Sequence, residues 1–192
     1  MKKRHTLVVL VEDHPGVLNR VVSLMRRRSF NIDSITVGHS EQPGVSRMTI
    51  LVLGEDEEVE QVGKQLYKLM EVLKVTDLTD QSCVAHELAL IKVAAKPQHR
   101  SEILQIAQIY GARVVDASPS TLLLEATGPE EEVDALLTML RAFGIRELVR
   151  TGSIAMTRGS VPAKATGRAE RDRDLLATVP IAAGNGALAV AE

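Results

Sequence analysis

The feature that most constrains the fold is an order of elements, β-α-β-β-α-β, that occurs twice along the 192-residue chain. In the first copy, a buried-strand run over 6–11 precedes an amphipathic helix, and strands over 31–39 and 46–53 follow with a Pro-Gly turn between them. A second helix over 55–70 and a short strand over 72–78 complete the copy. This order is typical of the split-βαβ, ferredoxin-like fold.

The second copy follows the same order more loosely. It has a strand over 87–95, a helix over 100–110 and a hairpin over 112–128. A helix then starts at Pro129 with three acidic residues in its first turn, and one strand over 145–156 ends the copy. We therefore predict an α+β fold of two tandem ferredoxin-like βαββαβ units.

Polarity and composition predict where the domains, the linker and the tail of the chain begin and end. We predict a first domain over residues 4–79, a linker over 80–86 and a second domain over 87–157. Residues 158–192 have no aromatic side chain and are rich in Ala, Gly and charges of both signs. Because such a segment buries too little apolar surface to offset the entropy of ordering, we predict a disordered tail there.

The small size of each unit predicts self-association. A domain of about 75 residues buries only about 60% of its unfolded surface and is marginal by itself. In a split-βαβ fold both helices cover the same face of the sheet, so the opposite face needs another cover. We expect pairing between the units and between chains, and hence a homodimer or larger.

Composition argues against several classes of function. The formal net charge of −2 argues against bulk nucleic acid and anionic membranes as partners, and only four aromatic residues are present to stack on RNA bases. A single cysteine, Cys83, excludes an intrachain disulfide, and no signal peptide or membrane-spanning run is evident, so we expect a cytoplasmic protein. The five histidines are isolated, and no phosphate-binding loop or nucleophile elbow occurs, so we expect no catalytic residue and no metal site.

The most informative segment is VEDHPGVLNRV (11–21), where a buried strand turns into the first helix, with Pro15 at the expected first helical position. Gly16 has no Cβ and allows backbone amides to approach an anion, and a helix N-terminus favours a carboxylate. Asp13 is placed to meet a cation or to cap the helix. The two features together suit an α-amino acid, although an ordinary strand–helix turn explains the same residues equally well.

At these residues the chain resembles a known family. DHPGVLNRV is similar to the D-x-x-G-x-L motif of ACT domains, which are βαββαβ regulatory modules that bind amino acids. FNIDSITV (30–37), SRMTI (46–50) and QLYKLMEVLKVTDL (65–78) resemble segments of the small, regulatory subunit of acetolactate synthase. The resemblance covers about residues 4–157 and is stronger in the first half. One departure is Asp13, where that family often has Asn.

The resemblance implies an effector site between the N-terminal domains of two small subunits, for valine or another branched-chain amino acid. The implied contact residues are Asp13, Gly16, Val17 and Leu18 from the strand–helix turn and Asn31 and Ile32 from the second strand, with Gly38 leaving room for the ligand side chain.

It also implies a function. Such a subunit activates a catalytic large subunit that converts two pyruvate molecules to 2-acetolactate and CO2, and it confers feedback inhibition by valine. Thiamine diphosphate, Mg²⁺ and FAD are then expected in the large subunit, and no cofactor is expected in this chain. The alternative is a stand-alone ACT-type amino-acid sensor that acts on another enzyme or regulator.

Overall fold

The computed structural model describes residues 2–159, and it confirms two ferredoxin-like units. The first unit consists of β1 (Lys3–Glu12), α1 (Val17–Arg27), β2 (Asn31–His39), β3 (Val45–Gly54), α2 (Asp56–Leu66) and β4 (Val72–Asp77). Its four strands form an antiparallel sheet in the order β2-β3-β1-β4. Beyond residue 159, the predicted tail lies outside the described residues.

The second unit repeats this arrangement. It consists of β5 (Cys83–Ala94), α3 (Arg100–Ile109), β6 (Arg113–Ala117), β7 (Thr121–Gly128), α4 (Glu130–Leu140), β8 (Ile145–Arg150) and β9 (Ile154–Thr157), with single 3-10 turns at Pro97–His99 and Arg141–Phe143. The main strands lie in the order β6-β7-β5-β8, and β9 pairs separately with the start of β5. None of the helices in residues 2–159 combines the length and the apolar character that a membrane span requires.

Each unit has its own core, formed where one stripe of each helix meets alternate residues of the sheet. Helix α1 buries Val17, Val21, Leu24 and Met25 against the first sheet. Helix α4 buries Val133, Leu136, Leu137 and Leu140 against the second. Helices α2 and α4 each begin with three acidic residues, which stabilise the positive end of the helix dipole.

The last predicted strand, 145–156, is two strands in the structure. The chain breaks at Gly152, whose φ of +79° favours glycine, and a Cβ there would lie 3.1 Å from the side-chain oxygens of Ser34 and Thr36. Strand β9 therefore leaves the main sheet and pairs with Cys83–His86. These four residues belong to the segment predicted as a linker. They form an ordered strand, while 80–86 as a domain boundary stays a prediction.

The paired segments 83–86 and 154–157, here called the β5–β9 ribbon, cross the helix-free face of the first sheet. Ala155 of the ribbon packs with Val8 of β1 and Leu78 in a third, small core. Arg47 of β3 donates a hydrogen bond of 2.8 Å from Nη2 to the carbonyl oxygen of Ala155. The ribbon thus covers part of the face that the sequence left open, and β2 remains an outer strand with β3 as its neighbour in the sheet.

Candidate ligand-binding site

The turn between β1 and α1 is held by backbone hydrogen bonds. The N–H of Glu12 donates to the carbonyl of Glu71 (2.9 Å), and the N–H of Asp13 donates to the carbonyl of Gly44 (2.8 Å). Gly16 then takes a φ of +94° and becomes the N-cap of α1, so the helix begins at Val17 and the predicted helical Pro15 lies in the turn. The left-handed backbone at Gly16 explains this shift, because it cannot continue a right-handed helix backwards.

The N-terminus of α1 has uncompensated positive potential. No side chain caps it and its first turn contains no acidic residue, whereas the first turns of α2 and α4 contain three each. Gly16 is exposed, and a Cβ built on it would have no atom within 4 Å. A carboxylate placed there would meet backbone N–H groups and the favourable end of the helix dipole.

Asp13 is paired with a histidine that the sequence analysis treated as isolated. The Nδ1 atom of His39 lies 3.0 Å from Oδ2 of Asp13, and the Asp13 side chain keeps 39% of its surface exposed. Next to them, Nε2 of His14 lies 3.2 Å from Oε2 of Glu12. Asp13 therefore has a fixed partner on β2 and a free side toward solvent, as a group that receives an ammonium ion requires.

The two residues that follow Gly16 differ in how far their side chains are exposed to a ligand. Val17 is a core residue with 3% of its surface exposed, so a ligand there meets its backbone and not its side chain. Leu18 is 44% exposed, and its side chain is available at the surface. The predicted contacts at these positions stay predictions. For Val17 the contact would use the backbone N–H, which here donates a long hydrogen bond of 3.5 Å to the carbonyl of His14.

The predicted residues of β2 lie at opposite ends of that strand. Strands β1 and β2 run parallel and finish at the same end of the sheet, because Glu12 pairs with Val45 and His39 pairs with Ser46 at the start of β3. This register places Gly38 at the same end of the sheet as the turn between β1 and α1. Gly38 is exposed, and a Cβ built on it would have no atom within 4 Å.

Asn31 and Ile32 begin the strand instead, opposite Leu53 and Val52 of β3. At about 3.3 Å per residue, they lie roughly 25 Å from the other end of β2. A single chain therefore brings together Asp13, Gly16 and Gly38, while Asn31 and Ile32 remain apart from them. Asn31 is exposed, and Ile32 packs partly against the core.

Sequence reasoning missed His39 and Arg47. The signal for His39 was available, since the strand order of a split-βαβ unit aligns the ends of its first two strands. Arg47 lies in the SRMTI segment, but its contact with Ala155 depends on the β5–β9 ribbon and has no local signal. Within residues 2–159, no group of three or more His, Cys, Asp or Glu side chains is arranged to hold a metal ion.

Both units match models of one protein family. A model described as "AHAS small subunit-like ACT domain" matches residues 7–74. A second model, described as "Small subunit of acetolactate synthase", matches residues 86–159.

Individual relatives agree with these matches. A probable acetolactate synthase small subunit of Archaeoglobus fulgidus is 52% identical over 157 residues, which are 82% of this chain and 98% of the relative. An acetolactate synthase small subunit of Mycobacterium bovis is 48% identical over 157 residues, 82% of this chain and 94% of the relative. The crystal structure of the acetolactate synthase small subunit of Thermotoga maritima matches with a TM-score of 0.78 and 42% identity, over 83% of this chain and 99% of that one.

Proposed function

The chain belongs to the family of acetolactate synthase small subunits, and on that basis we propose that it activates the catalytic large subunit and makes it sensitive to valine. The observation that carries the effector part of this proposal is the open, uncapped N-terminus of α1 at Gly16, beside the carboxylate of Asp13. The match of the second unit to a small-subunit model favours this function over a stand-alone amino-acid sensor.

An α-amino acid satisfies both halves of this site. Its carboxylate accepts hydrogen bonds from the N–H of Leu18 and from the N–H of Val17, which gives up its long 3.5 Å bond to the carbonyl of His14. Its ammonium group donates to Asp13. The Asp13–His39 hydrogen bond fixes the carboxylate that receives the ammonium. Asp13 thereby takes the place of the Asn that is frequent in the family, with a full charge for the ammonium to pair with.

The remaining predicted contacts require a second copy of the chain. β2 is an outer strand whose free edge can pair with another strand. If two copies pair antiparallel through β2, the Asn31 end of one strand comes beside the Gly38 end of the other. We propose that the effector lies at this junction, between the turn of one protomer and the partner's Asn31 and Ile32, which makes the homodimer part of the site.

The chemistry of the enzyme belongs to the large subunit in this proposal. We place thiamine diphosphate, Mg²⁺ and FAD there, and this chain contributes binding energy rather than reacting groups. Valine needs to favour the inhibited state of the complex by only about 1–3 kcal/mol to shift the equilibrium between the active and inhibited states roughly five- to 150-fold. We expect the complex to act in the cytoplasm.

The test is a reconstitution from purified subunits. The rate of 2-acetolactate formation from pyruvate is measured for the large subunit alone, for this chain alone and for the mixture, with and without valine, leucine or isoleucine. We expect no turnover by this chain alone, a higher rate in the mixture than with the large subunit alone, and a loss of that gain when valine is added. A mixture with the same rate as the large subunit alone contradicts the proposal.

Calorimetric titration of this chain with the three amino acids provides an independent readout. A valine-sized ligand in such a site binds at about 10–100 µM, or about 5.5–7 kcal/mol. Binding of leucine or isoleucine in preference to valine would change the identity of the effector but not its class. An absence of binding by all three would refute the effector site.

A further inference from the structure

A large groove lies on the opposite face of the first sheet from helix α1. It separates the outer surface of β2 and β3 from the β5–β9 ribbon and has a volume of about 570 Å³. Its lining includes Val37, Gly38, Arg47, His86, Ile154 and Met156. This volume lies within the range of small-molecule sites. Gly38 and His39, at one end of the groove, also belong to the effector site proposed above, whereas Arg47 and the ribbon do not.

The walls of the groove are apolar and accessible. Ile154 and Met156 on the ribbon are 58% and 63% exposed, and Val84 beside them is partly buried. Single exposed apolar residues are ordinary, but several that converge on one cavity indicate a surface that binds something apolar.

One strong polar group lies in the groove. Arg47 is partly buried and donates one hydrogen bond, to the carbonyl oxygen of Ala155, while a guanidinium has five N–H donors. Among residues 2–159 no carboxylate lies within 4 Å of it. Burial lowers the pKa of Arg47, and the carboxylate of Glu41 opposes this effect only in part. Its positive charge is thus incompletely neutralised.

The other side chains that line the groove also favour a negatively charged ligand. His39 and His86 line the groove, and no Asp or Glu of the described residues does. An anion therefore meets the guanidinium of Arg47 and the ring of His86, while Nδ1 of His39 is paired with Asp13 at 3.0 Å. A zwitterionic amino acid fits poorly, because its ammonium group would face Arg47 with no acidic side chain to receive it.

We propose that this groove binds an aliphatic monocarboxylate. The carboxylate pairs with Arg47, and the hydrocarbon chain lies against Val84, Ile154 and Met156. Such a ligand would touch both the first sheet and the ribbon of the second unit, so its binding would stabilise their contact at Ala155.

The experiment is an NMR titration of the full chain with octanoate, in which the methyl signals of Ile154 and Met156 are followed. Octan-1-ol, with the same chain and no charge, and valine, with the carboxylate and an ammonium group, serve as comparison ligands. We expect saturable shifts of both signals with octanoate, and at least tenfold weaker binding of the other two ligands at this groove. Equal binding of octan-1-ol and octanoate would remove Arg47 from the recognition and overturn the proposal.

Two variants test the location. Ile154→Asp places a negative charge on the exposed wall and should weaken octanoate binding at least tenfold. Ile109→Asp makes the same change at a residue that is 78% exposed at the end of α3, and should leave binding unchanged. Arg47→Gln should also weaken binding, and because it removes the hydrogen bond to Ala155, the surface variant Ile154→Asp is the decisive one.

The results for octanoate in the groove can be distinguished from the results for valine at the effector site. Valine binding is detected at the turn around Gly16, and octanoate binding at the ribbon. If Ile154→Asp binds octanoate as the unmodified chain does, or if octanoate produces no saturable shift in the ribbon methyl signals, the groove is not a carboxylate site. Neither result alters the prediction for valine.

Discussion

Replacement of Gly16 by Asp tests the effector site most directly. The new carboxylate would stand at the N-cap of α1, at the position proposed for the carboxylate of the ligand. Nothing lies within 4 Å of a Cβ at residue 16, so the substitution introduces charge and occupies space without a clash against the protein. The Asp side chain would accept hydrogen bonds from the N–H groups that the ligand needs, and its negative charge would repel the carboxylate of the ligand.

The expected magnitude follows from these contacts. A hydrogen bond to a charged group contributes about 1.5–3 kcal/mol, so the loss of one weakens valine binding roughly ten- to 150-fold. The effect on folding is smaller, because two changes oppose each other. A non-glycine residue at a φ of +94° costs about 1–2 kcal/mol, while Asp in place of Gly as an N-cap returns about a few tenths of a kcal/mol.

Calorimetry of the isolated chain measures the affinity for valine, and the reconstituted enzyme measures the inhibition. We expect a complex that is still activated and is resistant to valine. Gly16→Ala adds a Cβ without charge and should retain most of the affinity. Gly111→Asp, at a φ of +64° in the second unit, matches the strain and the charge far from the site and should bind valine normally. Normal inhibition of the Gly16→Asp complex by valine would refute the assigned site.

Three further predictions concern the site, the assembly and the tail. His39→Ala removes the hydrogen bond to Asp13 and should weaken valine binding by about 0.5–1.5 kcal/mol, or two- to tenfold by calorimetry, whereas equal affinity would show that the pair has no role. Sedimentation at micromolar concentration should give a dimer or a larger species, because the site needs two copies and β2 has a free edge; a stable monomer contradicts this. A chain that ends after Gly159 should keep its melting temperature and its valine affinity, and a decrease of many degrees would show that residues 160–192 support the fold.

Much of the fold was predictable because its signals are local. The strand run in β1, the acidic first turns of α2 and α4 and the Gly at the start of α1 each act within a few residues. The order of these elements then selects the split-βαβ topology, since few arrangements pair such strands and place both helices on one face. The segment around Gly16 was identified in the same way, from backbone requirements at a strand–helix turn.

The sequence by itself determined the order of elements, the class of fold and the residues of the strand–helix turn. Only the tertiary structure decided which of these residues meet. It paired Asp13 with His39, placed Val17 in the core and separated Asn31 from Gly16 by the length of β2. It also split the final strand at Gly152 and brought Ala155 over Arg47, which created the groove. These contacts join residues that are 26 to 118 positions apart, and they depend on sheet register and on the packing of one unit against the other. No local preference of the chain specifies such long-range geometry.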